Sequence, residues 1–80
     1  MLKIKDNVDL SILEKFGFKY IRKQNMIYEH YMYESKTKND FYPMLRCIVF
    51  CNDRYISINT NEIDIIFDLI QAGFVEKGWL

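Results

Sequence analysis

One histidine, two cysteines and a scatter of carboxylates are the side chains with which this sequence could do chemistry. His30 follows Glu29 and stands four residues before Glu34, inside a run rich in tyrosine. A histidine becomes catalytic only when one group orients it and another reacts or holds a metal. In an extended strand neighbouring side chains point to opposite faces, so Glu29 turns away from His30 while Glu34 shares its side two pleats along. The nearest hydroxyls, Ser35 and Thr37, sit in a polar stretch that reads as a loop. No triad assembles, and the reading is of a protein that is not an enzyme.

The other reactive types fare no better. Cys47 and Cys51 lie in one apolar run that reads as a strand, which puts their Cα atoms ~13 Å apart. A disulfide needs less than about 7 Å, so they are expected as reduced, buried thiols. Two thiols and one imidazole also fall short of a structural zinc site, and no cofactor or metal is expected. Asp64 and Asp68 have the i, i+4 spacing that puts two carboxylates on one helical face. They form the polar stripe of an otherwise apolar segment, which suits solvation better than acid–base work. The three glycines, Gly17, Gly73 and Gly78, make no phosphate cradle. Phe18-Lys19-Tyr20-Ile21-Arg22-Lys23 interleaves rings with cations as single-strand binders do, yet a half-buried strand produces the same alternation.

The elements that position these residues can be read from their punctuation. Asp9 is an N-cap, with Val8 and Leu13 spaced as a hydrophobic staple, and the helix runs from about Leu10 to Phe16. Gly17 ends it, and Phe18 is placed to pack back on Leu13. The same cap recurs at Leu69…Gly73-Phe74, closing a helix expected from about Glu62 to Ala72 behind an Asn61 N-cap. Gly78 is expected in a frayed tail. Between the helices, Phe18 to Lys23 and Met26 to Glu34 read as strands around a turn at Lys23-Gln24-Asn25. Ser35 to Asp40 reads as a loop, and Pro43 limits where the next strand begins. Met44 to Cys51 and Tyr55 to Asn59 read as a hairpin turning at Asn52-Asp53, with Cys51 opposite Arg54. That register sets Val49 against Ile56 and Cys47 against Ile58, gathering Leu45, Cys47, Val49, Ile56 and Ile58 on one face. The expected fold is α+β: an antiparallel meander of three to four strands, a short N-terminal helix and a longer C-terminal helix, in one domain spanning residues 1–80.

Composition sets the class of partner. Half of the 80 residues are hydrophobic and 16% are aromatic, enough for a core without staples. Net charge is zero, with 11 basic and 11 acidic residues, so no long-range field draws nucleic acid or an anionic membrane. Met1-Leu2-Lys3-Ile4-Lys5-Asp6 lacks the apolar stretch of a signal peptide, and no apolar run approaches ~18 residues. A cytoplasmic location without membrane attachment is expected. The apolar residues Ile63 to Ile70 spread over roughly 200° of the second helix, wider than an ordinary surface helix requires. In the tyrosine-rich strand Tyr28, His30 and Met32 share one face, and Ile27, Tyr31 and Tyr33 the other. The hairpin's outer face carries Ile48, Phe50 and Tyr55 besides Arg46 and Ser57. Aromatic and Met side chains are favoured at interfaces, so a protein partner or a second copy is expected on Tyr28, His30, Met32, Phe50, Tyr55, Ile65 and Leu69. Nucleic-acid binding and small-molecule binding are the alternatives.

The segments Lys3-Ile4-Lys5-Asp6-Asn7-Val8-Asp9-Leu10, Leu13-Glu14-Lys15-Phe16-Gly17-Phe18, Asp64-Ile65-Ile66-Phe67-Asp68-Leu69-Ile70-Gln71-Ala72 and Val75-Glu76-Lys77 resemble small uncharacterised phage and prophage proteins of low-GC Gram-positive bacteria. Phe, Tyr, Met, Ile, Asn and Lys make up 41 of the 80 residues, as AT-rich coding would give. The resemblance covers roughly half the chain and brings no activity or site residue with it. It implies an accessory protein acting on a partner, with a host defence protein as one such partner.

Overall fold

The computed structural model describes residues 1–22, 28–36, 44–59 and 64–78. Among these, the elements in chain order are β1 (Leu2–Ile4), a 3₁₀ helix (Leu10–Phe16), β2 (Lys19–Ile21), β3 (His30–Lys36), β4 (Met44–Phe50), β5 (Ile56–Ile58), α1 (Asp64–Gln71) and β6 (Val75–Lys77). The protein is a small α+β fold with two antiparallel sheets and two helices. The turn at 23–25, the residues Met26, Ile27, Thr37 and Pro43, and the N-cap Asn61 lie outside the described residues.

Both helices end as their punctuation requires. Asp9 accepts from the Ser11 amide at 3.0 Å and from its hydroxyl at 2.9 Å. The helix that follows is wound as 3₁₀, with the Ile12 amide donating to the Asp9 carbonyl at 3.0 Å. Gly17 takes the left-handed conformation, φ 92°, and the Phe18 amide reaches back to the Leu13 carbonyl at 3.2 Å. Gly73, φ 78°, repeats this on α1, with Phe74 donating to the Leu69 carbonyl at 3.1 Å. The two caps meet through Phe16 and Phe74, whose rings stand edge to face with centroids 5.8 Å apart.

The larger sheet has the order β2-β3-β4-β5. Alternation along β4 buries Leu45, Cys47 and Val49 and leaves Met44 and Arg46 outside. Val49 pairs with Ile56 and Cys47 with Ile58, the register the hydrophobic pattern demands. The closing turn differs from the two-residue expectation. The Phe50 amide donates to the Tyr55 carbonyl at 3.1 Å across a four-residue loop 51–54, within which the Arg54 amide donates to the Phe50 carbonyl at 2.9 Å and Arg54 sits at φ 66°. A four-residue loop and a two-residue loop at this position preserve the same downstream register, so the pattern could not separate them. Strand β3 also runs later than expected. Ser35 and Lys36 belong to it rather than to a loop, because β4 begins early enough to pair them with Leu45 and Met44.

The second sheet joins the chain's two ends and has no counterpart in the expected meander. β1 pairs with β6, Leu2 opposite Lys77 and Ile4 opposite Val75. Gly78 is therefore buried rather than frayed, its amide donating to the Met1 carbonyl at 2.6 Å. The two sheets touch where Lys3 bridges to Tyr55 and the Ile4 amide donates to the Arg54 carbonyl at 2.9 Å. One core gathers Ile4, Leu13 and Phe18 with Tyr31, Leu45, Cys47, Val49 and Ile56 of the larger sheet and Ile65, Ile66 and Leu69 of α1.

Candidate interaction surface

The seven residues expected to meet a partner divide into three groups. Ile65 and Leu69 are core residues of α1, buried with Ile66, so they hold the fold together and present nothing outward. His30 is likewise enclosed, at 0% exposure. Its burial alongside Tyr31 means that both faces of β3 are covered at its start. Met32, Phe50 and Tyr55 are half-buried, and Tyr28 is exposed at 76%.

Register explains which of these come together. Ile21, His30 and Phe50 form one cross-strand row on the sheet's outer face, and Lys19, Met32, Ile48 and Ser57 form the next. His30, Met32 and Phe50 therefore lie on one side of the sheet, while Ile65 and Leu69 lie in the core with Tyr31 and Val49. The row beyond carries Glu34 opposite Arg46, joined by a 3.1 Å ion pair in an exposed position. Such a pair contributes at most about 1 kcal/mol and leaves that end of the face hydrophilic.

On α1 the exposed apolar side chains are ones the sequence pattern had not separated from the rest. Phe67 and Ile70 are 53% and 47% exposed. At about 100° per residue they stand ~60° apart, directly beside the buried stripe of Ile65, Ile66 and Leu69. Asp64, Asp68 and Gln71 complete the exposed side. Periodicity marked an apolar arc too wide for one contact, but only the packing of the helix decides which part of the arc turns inward.

The chemistry of the remaining groups is quiet. Burial pushes the Cys47 thiol up to about 12. Burial, and then the Glu29 carboxylate, raise that of half-buried Cys51. Neither sulfur is a thiolate at neutral pH, and a thiol without its thiolate is a poor nucleophile. Tyr20 donates its hydroxyl to Glu29 at 2.9 Å, which holds its pKa above the usual phenol value, and its ring lies 5.4 Å from that of Tyr31. Among the described residues no three His, Cys, Asp or Glu side chains converge as a metal ion would require. No helix among them is long and apolar enough to cross a membrane. No family model, curated protein or solved structure matches the chain.

Proposed function

We propose that this chain is a non-catalytic accessory protein that acts by binding another protein, with Phe67 and Ile70 of α1 at the contact. The scaffold in this reading is an antiparallel meander with a short N-terminal helix and a longer C-terminal one. The observation that carries it is the exposed apolar pair on α1, set beside the buried stripe and bordered by Asp64, Asp68 and Gln71. An apolar centre with a polar rim is the usual composition of a protein-binding patch. Large aromatic side chains supply much of the affinity in such patches. The half-buried Met32, Phe50 and Tyr55 on the outer sheet face offer a second, shallower surface. A host-encoded partner fits the resemblance to phage proteins, and a second copy of the chain is the competing occupant.

Affinity purification from an expressing bacterial host, paired with light scattering on the purified protein, tests this reading. A captured protein or a dimer that is lost in Phe67→Glu and Ile70→Glu, with the circular dichroism spectrum unchanged, supports it. A strict monomer that captures nothing defeats it, as does binding indifferent to both substitutions.

A further inference from the structure

The exposed side of α1 is graded from apolar to acidic. At about 100° per residue, Ile70 and Phe67 lead into Gln71 and Asp64, and Asp68 closes the arc. Ile65, Ile66 and Leu69 occupy the opposite, buried side. Asp64 and Asp68 stand about one turn apart, ~6 Å along the axis. The helix carries no lysine, arginine or histidine. Among the described residues neither carboxylate takes part in an ion pair.

Helix stability accounts for one of these carboxylates and not for the other. Asp64 lies in the first turn, where the macrodipole favours an anion. Asp68 lies in the last turn, where the same dipole disfavours one. It also repeats the charge of Asp64 at the i, i+4 spacing, which is repulsive. Asp68 therefore works against its own helix twice, with no cation of the chain paired to it.

Charge also decides between the occupants open to this face. A two-fold contact sets a surface against itself. A second copy docked through α1 would bring Asp64 and Asp68 up to their own equivalents. Phe67 and Ile70, each about half exposed, offer only on the order of 200 Å² of apolar area. A standard interface buries ~800 Å² per partner, so the apolar pair alone does not offset that repulsion.

We propose that the occupant is a different protein, one that sets two lysine or arginine side chains beside an apolar socket for Phe67 and Ile70. The inference rests on α1 being the docking helix and adds the charge of what docks there. The socket takes the ring out of water, while the cations meet Asp64 and Asp68 at the wetter border. Pairs at such a border select the partner more than they tighten it. Salt screens them, so the selection fades as ionic strength rises.

Two amphipathic helical peptides serve as probes, one of leucine and lysine and its twin of leucine and glutamate. Nuclear magnetic resonance of the α1 amides reads their binding. The lysine peptide should bind about tenfold more tightly than its twin at low salt, and sodium chloride should narrow the gap. Asp64→Asn combined with Asp68→Asn, both at exposed positions, should remove the preference, whereas Phe67→Ala should weaken both peptides alike. Equal binding of the two, binding of neither, or a preference that the asparagine variant keeps overturns the proposal. A dimer that Phe67→Glu abolishes also overturns it, while upholding α1 as the docking helix. So does a host protein captured through Phe67 and Ile70 just as well by the asparagine variant.

Discussion

Arg54 offers the sharpest test of how this fold is held. It ends the β4–β5 loop in the left-handed region, φ 66°, a conformation that costs a non-glycine residue about 1–2 kcal/mol. Its guanidinium compensates by donating from Nη1 to the Lys5 carbonyl at 2.8 Å and the Val8 carbonyl at 2.6 Å. One side chain thus fastens the hairpin loop to the segment between β1 and the 3₁₀ helix, nearly fifty residues earlier in sequence. Hydrogen bonds from charged donors are worth roughly 1.5–3 kcal/mol each where the acceptor would otherwise be stranded, and less where water can replace the donor. Arg54 is half-buried, so Arg54→Ala, which loses both bonds and keeps the strained backbone, should cost about 2–4 kcal/mol. Arg54→Gly loses the same bonds but relieves the backbone, and should cost about 1 kcal/mol less than the alanine variant. Glycine in ordinary backbone is the less stable of the two by about 0.5–1 kcal/mol, so the order reverses at this position. Urea unfolding followed by circular dichroism measures all three chains. An alanine variant within about 0.5 kcal/mol of the unmodified protein, or a glycine variant less stable than alanine, would refute the assignment.

Four further outcomes follow from burial and close approach. Leu69→Ala should cost about 2–5 kcal/mol, whereas Ile70→Ala, one residue on and half in water, should stay within about 0.5 kcal/mol in the same unfolding experiment. Iodoacetamide at pH 9 should label half-buried Cys51 before Cys47, which reacts only as the chain unfolds, and mass spectrometry of timed aliquots separates the two. Because Cys47 keeps its proton up to about 12 when folded, its contribution to stability is present below the ordinary thiol range and is lost as pH rises from ~8.5 towards that value; Cys47→Val should lessen alkaline unfolding. Gly78→Ala should loosen the join between the sheets, since a Cβ there would overlap Cε1 of Tyr55 and stand 2.8 Å from its Cζ and Oη. Thermal melting should show a lower midpoint, and an unchanged one would mean that the Tyr55 ring swings aside freely.

What could be read in advance, and what could not, divides by how local the determining interaction is. Both glycine caps were legible because each is fixed by a few consecutive residues, Leu13 to Phe18 and Leu69 to Phe74. The β4–β5 register was legible because Leu45, Cys47 and Val49 alternate and find Ile56 and Ile58 opposite. β1 and β6 left no trace. Three residues give no periodicity, and their pairing depends on Ile4 meeting Val75 across the length of the chain. Strand β3 ran past its expected end for a related reason, since Ser35 and Lys36 become strand only by virtue of what β4 places beside them.

The interaction surface shows the same limit in a form that bears on function. A helical arc of five or six apolar residues tells that some face protein, without telling which ones the chain itself covers. Ile65, Ile66 and Leu69 are taken by the core, leaving Phe67 and Ile70 with about half of each side chain in water. His30 moved the other way, from a candidate contact to an enclosed ring that stands between Ile21 and Phe50 in its cross-strand row. Substitutions at Phe67 or Ile70, on the exposed side of α1, leave that row untouched. The two surfaces can be perturbed separately, so a partner bound through α1 should remain bound to a folded His30→Leu variant.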